Sequence, residues 1–346
     1  MADFTRARRR ITALRLSALG IARRGGTPGD SVRSLLAMQA QDFPGVLWSI
    51  GLRTGAGREQ VVAAHEGGAF VRSWPMRGTL HVVAADDLCW LLDLTGARAM
   101  ASAAGRHRQL GLDAGDFDRA EGIVRRLLAA SVATRAQLLA AFEGDGLSTA
   151  GQRGAHLLVR LAQSGVVAMT GKDRWALLEH LVDAPPRLDR DEALRRLALR
   201  YLHAHGPATA ADLAWWAGIT LSDARAGVDA ARDELEPLEI DGTAYWMRPG
   251  LEPAAPAVHL LPGFDEYLLG YTDRSAPLAG APLDTVVPGS NGMFLSTIVV
   301  NGEVAGTWRR ATKGPPGVVP APFRALTASQ QAALDRAARR YRRFLG

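Results

Sequence analysis

Two glutamines separated by one alanine, Gln39-Ala40-Gln41, with Asp42 directly after them, are the residues of this chain best suited to chemistry. A carboxamide does not titrate near neutrality. It accepts hydrogen bonds through its oxygen and donates through its nitrogen, so such a pair suits orienting a water or stabilising charge better than acid–base work. Read by itself, the commoner meaning of the tripeptide is two polar side chains on a helix surface. On a regular helix, residues two apart diverge by roughly 200°, so the amides share a pocket only if the helix ends or unwinds near Gln41. Pro44 favours such an ending, because it disfavours helical backbone at Phe43.

Other chemistries find less support. The eight histidines are scattered, and His203-x-His205 on an expected helix is a poor chelating geometry, so no metal site is expected. No GxSxG elbow, P-loop or GxGxxG fingerprint occurs. Cys89 lies among Leu88, Trp90, Leu91 and Leu92, which reads as a buried thiol. Lys172 and Lys313 are the only lysines, and both fall in expected loops. Schiff-base chemistry, and with it lyase activity, is therefore not expected. A second stretch, Leu260–Arg274, packs Asp265, Glu266, Tyr267, Tyr271 and Arg274 into 15 residues. It reads as a capped helical turn or as the lining of a pocket.

The elements that must position these residues follow a repeat. Thr134 caps Arg135–Phe142, a turn leads to Thr149–Gln163, and strands at 166–169 and 174–178 close a wing. The order recurs about 75 residues on: helix 190–205, Ala210–Ala217 behind Thr209, Leu221–Glu234 behind Thr220, then a hairpin about Asp241-Gly242. A more degenerate first copy spans 5–95, with helices at Arg8–Ala22, Ser31–Gln41, Phe43–Arg53 and Arg58–Glu66 and a wing at Phe70–Trp74 and Thr79–Val83. The expected fold is α+β and mainly helical: three tandem winged-helix units at 1–112, 113–186 and 187–346. Residues 275–292 read as a long loop. Asn301-Gly302 reads as a hairpin turn between Met293–Val300 and Glu303–Trp308, either closing a sheet or wedging into a minor groove with Arg309 and Arg310 at its base. Ser329–Phe344 is a basic terminal helix.

The chain has 346 residues, formal net charge +6, one cysteine and 47% hydrophobic residues. No apolar run is long enough to span a membrane and no signal peptide is evident, so a cytoplasmic protein is expected. Codon bias of a GC-rich genome accounts for most of the arginine-to-lysine ratio, while the net positive charge favours a nucleic-acid partner.

Together, Met38–Asp42, Met76–His81, Leu261–Gly270 and Val304–Arg309 resemble the AlkZ-like DNA glycosylases, also called the YcaQ or winged-helix DNA-binding-domain family. The resemblance implies three winged-helix units around a C-shaped, basic DNA channel and a Gln-x-Gln catalytic signature, here Gln39 and Gln41. It implies a monofunctional glycosylase without cofactor or lyase activity, acting as a monomer on duplex DNA that carries bulky N7-alkylated purines or crosslinks. Asp42 would add negative charge or cap the next helix. Arg77 and His81 would contact lesion or phosphate, and Arg274, Asn301, Arg309 and Arg310 would contact DNA. The competing expectation is a non-enzymatic winged-helix regulator or lesion-sequestering protein. A sparsely basic second helix, with Arg153 and Arg160, weakens it.

Overall fold

The computed structural model describes residues 2–182, 188–290, 292–312 and 317–346. Lys313 and the expected unit boundary at 186/187 lie outside the described residues. Helices dominate, and three antiparallel sheets carry all the strands described.

The glutamine pair does not lie on a helix. The expected helix Ser31–Gln41 is instead Pro28–Leu35. Thr27 and Asp30 close a capping box at its start. Leu36 turns out of it at φ 66°, and Ala37–Gln39 is a strand. The next helix, Phe43–Thr54, takes Pro44 into its first turn, where a missing N–H costs nothing, so Phe43 is helical after all. The first helix is Ala2–Ala18 rather than Arg8–Ala22.

The two N-terminal wings are not separate. Strands Ala37–Gln39, Thr79–Val83, Val71–Met76, Val167–Gly171 and Arg174–Leu177 lie side by side in that order, and Arg72 opposite Met169 joins the two hairpins into one sheet. The order helix, single-residue bridge, helix, helix, hairpin occurs over 114–177, with Ala133 bridged to Trp175. It occurs again over 190–247, with Ala208 bridged to Trp246. The helix expected from Thr149 begins at Arg153.

A four-stranded sheet combines Val258–Leu261, Thr297–Val300, Glu303–Arg310 and Val318–Pro322. The expected long loop 275–292 instead contains the helical turns Ser275–Leu278, Leu283–Thr285 and Pro288–Ser290. The C-terminal helix is Ala328–Leu345.

Packing ignores sequence order. One core joins Leu16, Met38, Trp48 and Val82 to Leu260, Ile298, Trp308, Tyr341 and Phe344. Trp48 is 3% exposed and donates to the Leu260 carbonyl at 2.8 Å, so it is a core residue. Arg53 and Asp265 cross the same interface as a buried, two-pronged pair at 2.9 and 3.0 Å. Ser49 donates to Asp265 at 2.6 Å. Burial opposes the charge on Asp265, but Arg53, Ser49 and the Tyr267 N–H outweigh it and hold the pKa below its ordinary value. A second core fills the space between the five-stranded sheet and helices 85–109, 190–205 and 210–217. Cys89 lies at its margin, half-buried rather than buried.

Candidate active site

Register builds the site. Gln39 stands directly opposite His81, and His81 directly opposite Ser73. Cross-strand neighbours project to one face, so the three form a row across three strands. They are 8%, 0% and 0% exposed.

The row carries spare hydrogen-bonding capacity. His81 Nδ1 lies 2.8 Å from the Thr79 carbonyl, which makes Nδ1 the donor and leaves Nε2 a bare acceptor. That Nε2 is buried without a partner, and so is Ser73 Oγ. Burial, aided by the nearby Arg77 charge, pushes the His81 pKa down to about 4, so the ring is neutral at physiological pH. Buried polar atoms are ordinarily satisfied, so these two atoms beside Gln39 are hydrogen-bonding capacity that the chain itself leaves unused.

Ala37–Gln39 is an edge strand, and its outer side is covered by a carboxylate. The Gln39 N–H donates to Glu266 Oε1 at 3.0 Å. Glu266 Oε2 accepts from Trp216 Nε1 at 2.8 Å and from His205 Nε2 at 3.3 Å. Glu266 is 1% exposed. Burial works to raise its pKa, but the bonds from His205, Gln39 and Trp216 prevail and lower it, so the buried group stays anionic. The sequence reading named Glu266 within a stretch but gave it no role. Its signal was the run Phe264-Asp265-Glu266-Tyr267 itself, two acids inside an apolar segment.

Beyond Gln39 the chain stays tied to the sheet. The Ala40 N–H donates to the Leu80 carbonyl at 2.7 Å, and the Ala40 carbonyl accepts from Arg72 Nη2 at 3.3 Å. Gln39 ends the strand and Gln41 lies in the bend before the next helix, so neither amide is carried on a helix. Gln39 is buried and Gln41 exposed, so the pair spans the step from interior to solvent. Arg72 was not foreseen. Its guanidinium lies 4.4 Å from the centre of the Phe43 ring, and burial lowers its pKa to about 10. Asp42 occupies the N-cap of Phe43–Thr54 without a side-chain cap bond; its carboxylate leans over Gly45, where a Cβ would stand 2.5 Å from Oδ2.

Arg77 and Arg274, from distant stretches, meet on one ring. Their guanidinium carbons lie 4.5 and 4.9 Å from the centre of Trp215. Burial lowers the pKa of both, and the Arg77 charge lowers that of Arg274 further. The Glu266 charge acts on Arg77 and on His81, so all four belong to one electrostatic neighbourhood. An open groove of about 470 Å³, lined by Arg77, Arg98, Trp215 and Leu221, adjoins them.

The remaining predicted residues lie elsewhere. Arg309 and Arg310 are exposed at the far end of Glu303–Arg310, and Arg310 acts with Asp42 and Arg58 on the Tyr341 hydroxyl. Asn301 is exposed at the turn, but the turn itself is clamped rather than projecting. Gly302 at φ 86° fits so closely against Thr12 that a Cβ would come within 2.4 Å of Oγ1, and the Tyr267 hydroxyl donates to its carbonyl. Trp74 stacks on Trp175 with centroids 6.0 Å apart. Among the described residues, no group of three or more His, Cys, Asp or Glu is placed to hold a metal. No helix among them is long and apolar enough to cross a membrane.

The family model described as DNA glycosylase AlkZ-like matches residues 32–344. An interstrand DNA cross-link repair glycosylase from Streptomyces sahachiroi is 25% identical over 301 residues, covering 81% of each chain. The solved structure of the Streptomyces sahachiroi DNA glycosylase AlkZ superposes with a TM-score of 0.81 at 24% identity, over 98% of this chain and 96% of that one.

Proposed function

This chain belongs to the AlkZ-like DNA glycosylase family, and on that premise we propose that it hydrolyses the N-glycosidic bond of N7-alkylated purines in duplex DNA, bulky adducts or crosslinks among them. The observation that carries this reading is the strand-borne Gln39 at the mouth of a buried polar row, with anionic Glu266 holding its backbone. Crosslink repair is what the Streptomyces relative is named for, which supports the choice of lesion.

Alkylation at N7 makes guanine cationic, so N9 leaves readily without a raised-pKa general acid. The C1′–N9 bond breaks, its electron pair goes to the purine, and the sugar becomes oxocarbenium-like. Water oxygen then bonds to C1′ and its proton passes to solvent. Gln39 and Gln41 hold that water and turn their amide oxygens toward the positive sugar. Glu266 adds a fixed negative charge behind Gln39, and Asp42 adds another on the solvent side. Arg77 and His81 face lesion or phosphate near the glutamine pair, while Arg274, Asn301, Arg309 and Arg310 contact the duplex. Three winged-helix units, at 1–112, 113–186 and 187–346, frame a C-shaped channel in a monomer. The amides leave no amine for a Schiff base, so the product is an intact abasic site.

The test is release of N7-methylguanine and of bulky N7 adducts from duplex DNA by wild type and by Gln39→Ala/Gln41→Ala. Excision by wild type, lost in the double variant with DNA binding kept, is expected. Undiminished excision by that variant would overturn the assignment of the amides.

A further inference from the structure

The C-terminal helix and Arg24 build a charged face that the catalytic reading does not use. Leu334, Ala337, Tyr341 and Phe344 bury one side of Ala328–Leu345. Arg336, Arg339, Arg340 and Arg343 fall at i, i+3, i+4 and i+7, a single stripe about 10 Å long. The one acid of the helix, Asp335, accepts from Gln331 at 2.9 Å. Arg24 comes from a different part of the chain and joins them. With Arg342, these arginines line an open hollow of about 680 Å³.

Among the described residues none of the six side chains forms an ion pair, and Arg340 Nη2 donates to the Val258 carbonyl at 3.3 Å. Arg340 is partly desolvated and crowded by Arg24, Arg336 and Arg343, and its Nε has no partner. Carbonyls at a helix C-terminus favour a cation or two in the last turn, worth a few tenths of a kcal/mol each. They do not offset six gathered guanidiniums. Such a cluster fits a polyanion with regularly spaced charge.

We propose that this face is a second DNA-backbone contact, which grips phosphates of the duplex flanking the lesion. Its position sets the reach. Helix Phe43–Thr54 starts at Asp42, beside Gln41, and ends at Gly55, which lines a neighbouring pocket together with Arg24, Arg340 and Arg343 of the arginine face. Twelve residues at 1.5 Å make about 18 Å, or roughly five base-pair steps of 3.4 Å. The proposal rests on DNA as substrate but not on the amides as catalysts.

The experiment compares wild type with Arg339→Glu/Arg343→Glu, both exposed positions, on lesion duplexes extending four or twelve base pairs to each side. Anisotropy titrations over a range of salt give affinity and counterion release, and thermal unfolding checks folding. The milder Arg336→Ala/Arg339→Ala serves if the reversal fails to fold. For the reversal variant on the long duplex, about tenfold weaker binding is expected, with a log–log salt slope shallower by nearly 2. Affinity for the short duplex and excision at saturating enzyme should be unchanged. Wild-type affinity and slope on the long duplex, or an equal loss on both lengths, overturns the proposal. Gln39→Ala/Gln41→Ala should keep the full dependence on duplex length, so failure of the catalytic reading is seen separately.

Discussion

The Gln39 row and the arginine face sit at opposite ends of helix Phe43–Thr54 and solve opposite electrostatic problems. At the row, one anion is buried and both its oxygens are bonded: Glu266 accepts from a backbone N–H, an indole and an imidazole. The open capacity lies on uncharged atoms, His81 Nε2 and Ser73 Oγ. At the arginine face, charge stands in water and goes unpaired. A buried charge is tolerable only when fully bonded, so it orients its neighbours. An exposed charge costs little to leave open, so it is free to meet a partner and release counterions. Placement belongs to the first region and grip to the second.

That contrast can be broken most sharply at the amides. Gln39→Ala/Gln41→Ala should lower single-turnover excision on the order of 10²-fold or more, with affinity for undamaged duplex within about twofold of wild type; a matching loss of affinity would make them grip residues too. Glu266→Ala leaves Trp216 Nε1 and the Gln39 N–H buried without partners, and unfolding titrations should register a loss of about 3 kcal/mol. Glu266→Gln keeps an acceptor for the strand and should lose clearly less; equal losses would mean that the charge, not the strand anchor, is what matters.

Acid separates the regions next. His81 and His259 are buried and neutral with pKa values lowered to about 4, chiefly by desolvation. The unfolded chain takes up protons near pH 6.5 and the folded chain only near 4. Stability is therefore full above about pH 6.5, falls as pH drops toward 4, and levels off below, by up to about 3 kcal/mol per ring. Asp265, whose pKa is lowered, adds stability that is present above the ordinary carboxylate pKa and lost only at still lower pH. His259→Gln should flatten the upper part of the curve in thermal melts from pH 7 to 4; an unchanged slope would show that His259 is not neutral in the fold. The smallest effect is expected at Asp42, which makes no cap bond. Asp42→Ala should shift unfolding by less than about 0.5 kcal/mol while slowing excision, and unchanged excision would remove its charge from the reaction.

Several elements were legible from local chemistry. Thr134, Thr209 and Thr220 all cap the helices expected behind them, because an N-cap needs only a side-chain oxygen and an N–H two or three residues on. The hairpins about Asp241-Gly242 and Asn301-Gly302 form where residues tolerant of positive φ stand together. The strand at Ala37–Gln39 was not legible. Leu35-Leu36-Ala37-Met38 is a good helical run, and only pairing with Thr79–Val83 makes it extended. The same limit hid Arg72 and Glu266, whose partners lie 32 and 227 residues away.

The residue types, their spacing and the charge of the chain settled which family it joins and which two amides to examine, because composition and short motifs are properties of the covalent chain. Whether Gln39 would sit on a helix or at the end of a strand was decided by the tertiary structure. Backbone hydrogen bonds to Leu80 and Glu266 come from remote segments, and they outweigh the local preference of the residues they bind.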